Sequence, residues 1–115
     1  MKTTVSLLTM LLLLSCHKEE ATPDELPECI RERIAQLQKA DTQNPPAKVY
    51  QYSYKGEPVY YFTADCCDMY NVVVNSQCDT LCAPDGGFTG KGDGRCADFA
   101  SEAKDQVLIW EDSRK

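Results

Sequence analysis

The sequence predicts an α+β domain in which one N-terminal helix packs on a three- to four-stranded antiparallel sheet, stapled by disulfides. Three observations predict it. Residues 24–40 carry apolar side chains at helical spacing, residues 48–63 alternate around a Lys55-Gly56 pair, and an even six cysteines lie between residues 29 and 96. A helix followed by a run of strands builds a helix-on-sheet layer pair. Cysteines in even number suit a small exported domain whose core is too small to hold without staples.

In the helical segment, Leu26, Ile30, Ile34 and Leu37 recur at steps of four, four and three, which places them on one stripe, while "RER" and "QLQK" supply the polar faces. Asp24 stands near the expected N-cap, and Pro27 is tolerable only in the first turn. Cys29 lies at the edge of the stripe, placed to tie the helix to whatever it covers. The following "DTQNPPA" stops the helix and begins an extended segment.

Residues 48–63, "KVYQYSYKGEPVYYFT", read as a β-hairpin with Tyr50, Tyr52 and Tyr54 on one face of its first strand. A tyrosine stripe of this kind reads as a half-buried sheet face under a helix, with a stacking platform for a sugar or base as the alternative. "MYNVVVN" is a β-branched third strand. "QVLIWED" is a fourth, apolar almost throughout and so expected to be buried on both faces. "ADFASEAK" between them makes at most a short helical turn.

Ahead of the domain, residues 1–15 have a charged start, a short apolar run and small residues at the end, which describes a secretory signal peptide. The four residues "LLSC" resemble the lipobox of bacterial lipoproteins, which implies that Cys16 is acylated, palmitate included, and becomes the mature N-terminus. Several acyl chains on one residue make a stable anchor, each buried methylene adding about 0.8 kcal/mol. "HKEE" after Cys16 resembles the signal, a lysine followed by two acidic residues, that sends lipoproteins to the cell surface in one phylum of Gram-negative bacteria. The expected organisation is a signal peptide at 1–15, a lipidated N-terminus and polar tether at 16–25, and a single domain at 26–115. The expected location is the outer membrane of a bacterial envelope, facing outward or otherwise the periplasm.

Without the lipidated residue, Cys29, Cys66, Cys67, Cys78, Cys82 and Cys96 remain, and three disulfides are the expectation. Their spacing leaves the connectivity open. Cys66 and Cys67 are adjacent, so in an extended segment their side chains would point to opposite faces and reach two different partners. Zinc is not expected, because there is no C-x-x-C pair and no histidine beyond His17. With Lys2 removed, 11 basic residues stand against 18 acidic ones. That balance opposes nucleic-acid binding, which needs a basic footprint.

The double cysteine "CCDMYN", the loop "CAPDGGFTGKGDGRC" and the closing "LIWED" together resemble a family of small bacterial lipoproteins that share a domain of unknown function. Its members carry a CCD segment, then a DGG-x-TG-x-GDG loop, then a terminal strand like this one. The resemblance runs from Pro27 to Asp112 and implies an extracytoplasmic, anchored domain. It brings no activity with it.

The loop at 82–96 holds five of the six glycines. Its spacing is neither that of a P-loop nor that of a dinucleotide-binding turn. Asp85 and Asp93 could offer hard oxygens to calcium, although the EF-hand spacing is absent. Catalysis would have to work without histidine, and Asp65, Asp68, Asp85 and Asp93 are the acids a glycosidase-like pair would draw on. A domain of this size has little room for a deep cleft, so no enzyme is expected. The sequence points instead to a monomeric, non-catalytic binding or envelope-interaction module without a cofactor. Phe88, Lys91 and Arg95 would contact an unidentified protein or glycan. Calcium binding through the loop, or protease inhibition by it, are the alternatives. The bland reading is that the glycines let a covered loop turn repeatedly against the sheet, and closing it through Cys82 and Cys96 would contribute about 3 kcal/mol.

Overall fold

The computed structural model describes residues 25–114. The signal peptide, Cys16, most of the tether and Asp24 lie outside the described residues. Helix α1 spans Glu28–Lys39, and strands β1 (Lys48–Tyr54), β2 (Glu57–Phe62), β3 (Tyr70–Val74) and β4 (Thr80–Gly86) follow. A single-turn helix α2 (Phe99–Glu102) leads into β5 (Lys104–Glu111). One antiparallel sheet contains all five strands in the order β4-β3-β2-β1-β5. A helix on an antiparallel sheet with disulfides is the α+β arrangement that the hydrophobic periods predict.

Each face of the sheet has its own cluster. On one, the α1 stripe of Leu26, Ile30 and Ile34 meets Val49, Phe62 and Val74. On the other, Tyr54, Val59 and Val73 meet Cys82, Cys96 and Phe99. The hairpin forms around Lys55 and Gly56, both at positive φ (52° and 78°), with Tyr52 opposite Val59 and Tyr50 opposite Tyr61. Cys29 bonds to Cys78, tying α1 to the turn between β3 and β4, and Cys82 bonds to Cys96.

Four expectations need correction. Cys66 bonds to Cys67, not to two separate partners. The alternation of side chains holds for extended backbone, and these two residues lie in the turn between β2 and β3. Strand β4 is an addition to the predicted set. Its Pro84 and the turn-forming "PDG" argue against a strand in sequence, yet a sheet edge tolerates a residue without an N–H. β5 is not buried on both faces: it pairs only with β1, as the opposite edge, and Val107 and Leu108 are exposed. Lastly, the tyrosine stripe does not lie under the N-terminal helix. Alternation sends Val49 toward α1 and Tyr50, Tyr52 and Tyr54 to the opposite face.

The chain's end latches the helix. Arg114 donates to the carbonyls of Ala40 (2.9 Å) and Leu37 (3.0 Å), oxygens at the α1 C-terminus that have no partner within the helix. The same guanidinium grips Asp112 through Nε (3.0 Å) and Nη2 (2.7 Å), and the Asp112 N–H reaches Ala47 O at 2.8 Å. The bonds from Arg114 outweigh the effect of desolvation and hold the Asp112 carboxyl below its ordinary pKa of 3.8. A depressed carboxylate contributes stability above its unfolded pKa, and that stability is lost as pH falls through the folded value. The melting temperature of the native chain is therefore expected to fall on acidification below about pH 4. Asp112→Asn should melt earlier at neutral pH and respond less to acid over that window. Parallel pH curves for the two proteins would reject this latch as the titrating contact.

Candidate functional site

The face opposite α1 is covered at one end and open at the other. The covering starts with the Cys82–Cys96 bond, which brings the end of the glycine loop over β4, and Phe99 N–H then bonds Cys96 O at 3.0 Å to start α2. Phe99 is thereby pressed on the tyrosines, its ring centroid 5.1 Å from that of Tyr52 and 5.2 Å from that of Tyr54. Tyr54 is buried beneath it and donates its hydroxyl proton to Asp98. Tyr50 lies beyond the reach of this cover.

An open cleft of about 620 Å³ results. Its floor is Tyr50, Tyr52 and Tyr61, supplied by the two central strands of the hairpin. Pro84 and Asp85 of β4 line one side, and Phe99, Ala103 and Gln106 the other. Pro45 and Pro46 of the α1–β1 connection, with Lys48 and Thr63, complete the rim. Asp65 fixes that connection, because its Oδ1 accepts the N–H of Asn44 at 2.7 Å while Cys66 N–H bonds Asn44 O at 2.8 Å. The turn with the paired cysteines thus positions one edge of the cleft.

Hydrogen bonds orient the polar groups. Tyr61 donates to Asp85 at 2.8 Å, and Asn71 Nδ2 donates to the same oxygen at 2.7 Å. Gln106 Nε2 donates to the Tyr52 hydroxyl at 2.8 Å. Burial, then the hydrogen bond to Asp85, pushes the Tyr61 phenol well above its ordinary pKa. Burial, then the neighbouring Tyr50, raises Tyr52. Both hydroxyls therefore remain protonated at physiological pH. Lys48 lies 3.8 Å from Glu111, so the cation at the rim already has an anion beside it.

A family model described as "Domain of unknown function (DUF6970)" matches residues 35–112. The chain belongs to this family. The match takes in every residue that lines the cleft, from Pro45 to Gln106. No curated protein and no solved structure matches the chain.

Within the DUF6970 domain, the residues singled out by sequence are scattered. Phe88 is 89% exposed on the glycine loop, and Lys91 is exposed beside a bridge to Gly86. Arg95 lines a smaller cleft of about 380 Å³ with Tyr54, Lys55 and Leu81. Asp85 faces Tyr61 and Asn71, whereas Asp93 accepts from Arg95, N–H at 3.0 Å and Nε at 2.8 Å. That contact holds the Asp93 carboxyl below its ordinary pKa. Among the described residues no three His, Cys, Asp or Glu side chains converge on a common point. The cleft as a unit was not legible in the sequence. Its one available signal was the tyrosine stripe, and periodicity alone does not say which of two sheet faces a helix will cover.

Proposed function

We propose that this chain is a lipid-anchored, extracytoplasmic binding module of the bacterial envelope, non-catalytic, with the tyrosine cleft as its ligand face. The observation that carries the reading is the open half of the sheet. A folded domain ordinarily covers such a surface, and a concave site with an aromatic floor and a few oriented polar groups is the ordinary form of a small-ligand site. Anchoring rests on the resemblance of "LLSC" to a lipobox, and export is supported by three disulfides in so small a domain.

Phe88 favours a second reading. An aromatic side chain with most of its surface in water is a natural protein contact, so the loop with Phe88, Lys91 and Arg95 offers an alternative binding face. One experiment tests both. The native chain should take up labelled palmitate and fractionate with membranes, and Cys16→Ser should do neither. The Cys16→Ser chain, immobilised, should retain a component of solubilised envelope material and release it chemically unchanged. Retention lost in Tyr50→Ala supports the cleft, and retention lost only in the triple alanine variant at Phe88, Lys91 and Arg95 supports the loop. Release of an altered product would replace the binding reading with an enzymatic one.

A further inference from the structure

The cleft's chemistry narrows the class of ligand. The rings of Tyr50, Tyr52 and Tyr61 form a triangle with centroids 6.5, 6.2 and 6.3 Å apart, tilted by 46°, 52° and 83° to one another. A flat group sandwiched between two aromatic faces needs about 7 Å, twice the closest carbon–carbon contact. The rings therefore leave no slot for a sandwiched base, and they offer a ligand a surface to lie on.

The polar groups at that surface are two tyrosine hydroxyls that can donate and one carboxylate, Asp85, that accepts. Tyr52 accepts from Gln106, which leaves its own proton to donate outward. Tyr50 lines the cleft beside it, and a phenolic hydroxyl can both donate and accept. Asp85 Oδ1 receives two donors, whereas Oδ2 meets only the Tyr61 hydroxyl at 3.0 Å and keeps acceptor capacity. Among the described residues that line the cleft Lys48 is the one cation, and it lies 3.8 Å from Glu111, so these residues are not arranged to neutralise a phosphate. A hydroxyl group both donates and accepts from a single oxygen, which suits donors and an acceptor set this close together. A pyranose ring carries hydroxyls around an edge while presenting a face of slightly positive C–H hydrogens, which suits the negative faces of tyrosine rings.

We infer that the cleft binds a neutral, pyranose-based oligosaccharide, laid on Tyr50 and Tyr52 with a hydroxyl accepted by Asp85. This rests on the reading of the cleft as the ligand face. The volume of about 620 Å³, open along one side, suits a short segment of a longer glycan chain.

The test uses the oxidised Cys16→Ser chain, which keeps every described residue, titrated with cellotetraose, mannotetraose and tetra-N-acetylchitotetraose and followed by amide chemical shifts. At least one sugar should give saturable shifts centred on Tyr50, Tyr52, Asp85 and Gln106. Tyr50→Ala should weaken that binding about tenfold, the equivalent of one good aromatic contact. Tyr52→Phe keeps the ring and the packing against Phe99, so it should fold normally and still bind severalfold more weakly. Absence of saturable shifts with all three sugars overturns the inference, and so do shifts centred elsewhere or indifferent to both variants. A proline-rich peptide that saturates the same residues while the sugars do not would overturn the glycan and leave the binding face standing. Envelope retention that survives Tyr50→Ala would overturn the cleft itself.

Discussion

Replacing both Cys82 and Cys96 with alanine is expected to lower the melting temperature by roughly 16–32 °C. The bond closes a loop with a sequence separation of 14. Opening it frees the unfolded chain by about 3 kcal/mol on the loop-entropy account. Both residues are buried, 2% and 5% exposed, in the cluster with Phe99 and Val73, so the lost sulfur contacts add about 1 kcal/mol more. A domain of this size loses roughly 4–8 °C per kcal/mol. The variant should also lose the cleft, because Phe99 forms one side of it and α2 starts from Cys96 O. Thermal melts followed by circular dichroism check the first effect, and the tyrosine-region near-ultraviolet spectrum the second. A melting temperature within a few degrees of the native value would mean that the glycine loop is held without its disulfide.

Gly92→Ala should be nearly as damaging, by about 3 kcal/mol, while Gly90→Ala should cost only about 1–2 kcal/mol. Both residues have positive φ, 72° and 75°, so both substitutions carry the left-handed penalty. Only Gly92 is also crowded. A Cβ there would run into the Ala83 carbonyl oxygen and come within 2.6 Å of Pro84 C and 2.8 Å of Asp85 N, all backbone atoms that cannot rotate away. Around Gly90 the space is empty. The Gly92 N–H bonds Gly86 O at 3.0 Å and the next N–H, of Asp93, bonds Ala83 O at 2.9 Å, so the loop lies flat on β4. Because Pro84 and Asp85 line the cleft, displacing the loop should also disturb ligand binding. Equal melting temperatures for the two variants would show that the loop does not depend on this close approach.

The glycine loop shows what local chemistry makes legible. Glycines alternating with turn-forming residues predict a chain that turns repeatedly against a sheet, and the loop does so. The helix stripe and the Lys55-Gly56 hairpin are equally local, each set by a period or a turn a few residues long. Cys66 and Cys67 mark the limit of that reasoning. Alternation describes strands, and the pair lies in a turn, where alternation does not apply. β4 and β5 mark another limit. Proline in one and an apolar run in the other point the wrong way, because being an edge strand is a matter of which neighbours exist.

By itself the sequence determined the class of domain: one helix, a set of antiparallel strands, and six cysteines that pair among themselves. Those properties follow from hydrophobic period, turn chemistry and an even count of thiols, all of which act within short stretches of chain. Only the tertiary structure decided which sheet face α1 covers. Val49 and Tyr50 are neighbours in a strand that alternates cleanly, and either face could have taken the helix. The Cys29–Cys78 bond and the Arg114 latch hold α1 over the Val49 face, and the short α2 then covers only the Tyr54 end of the other. Tyr50, Tyr52 and Tyr61 are left to line a cleft with Asp85 because contacts between residues far apart in sequence placed the helix elsewhere.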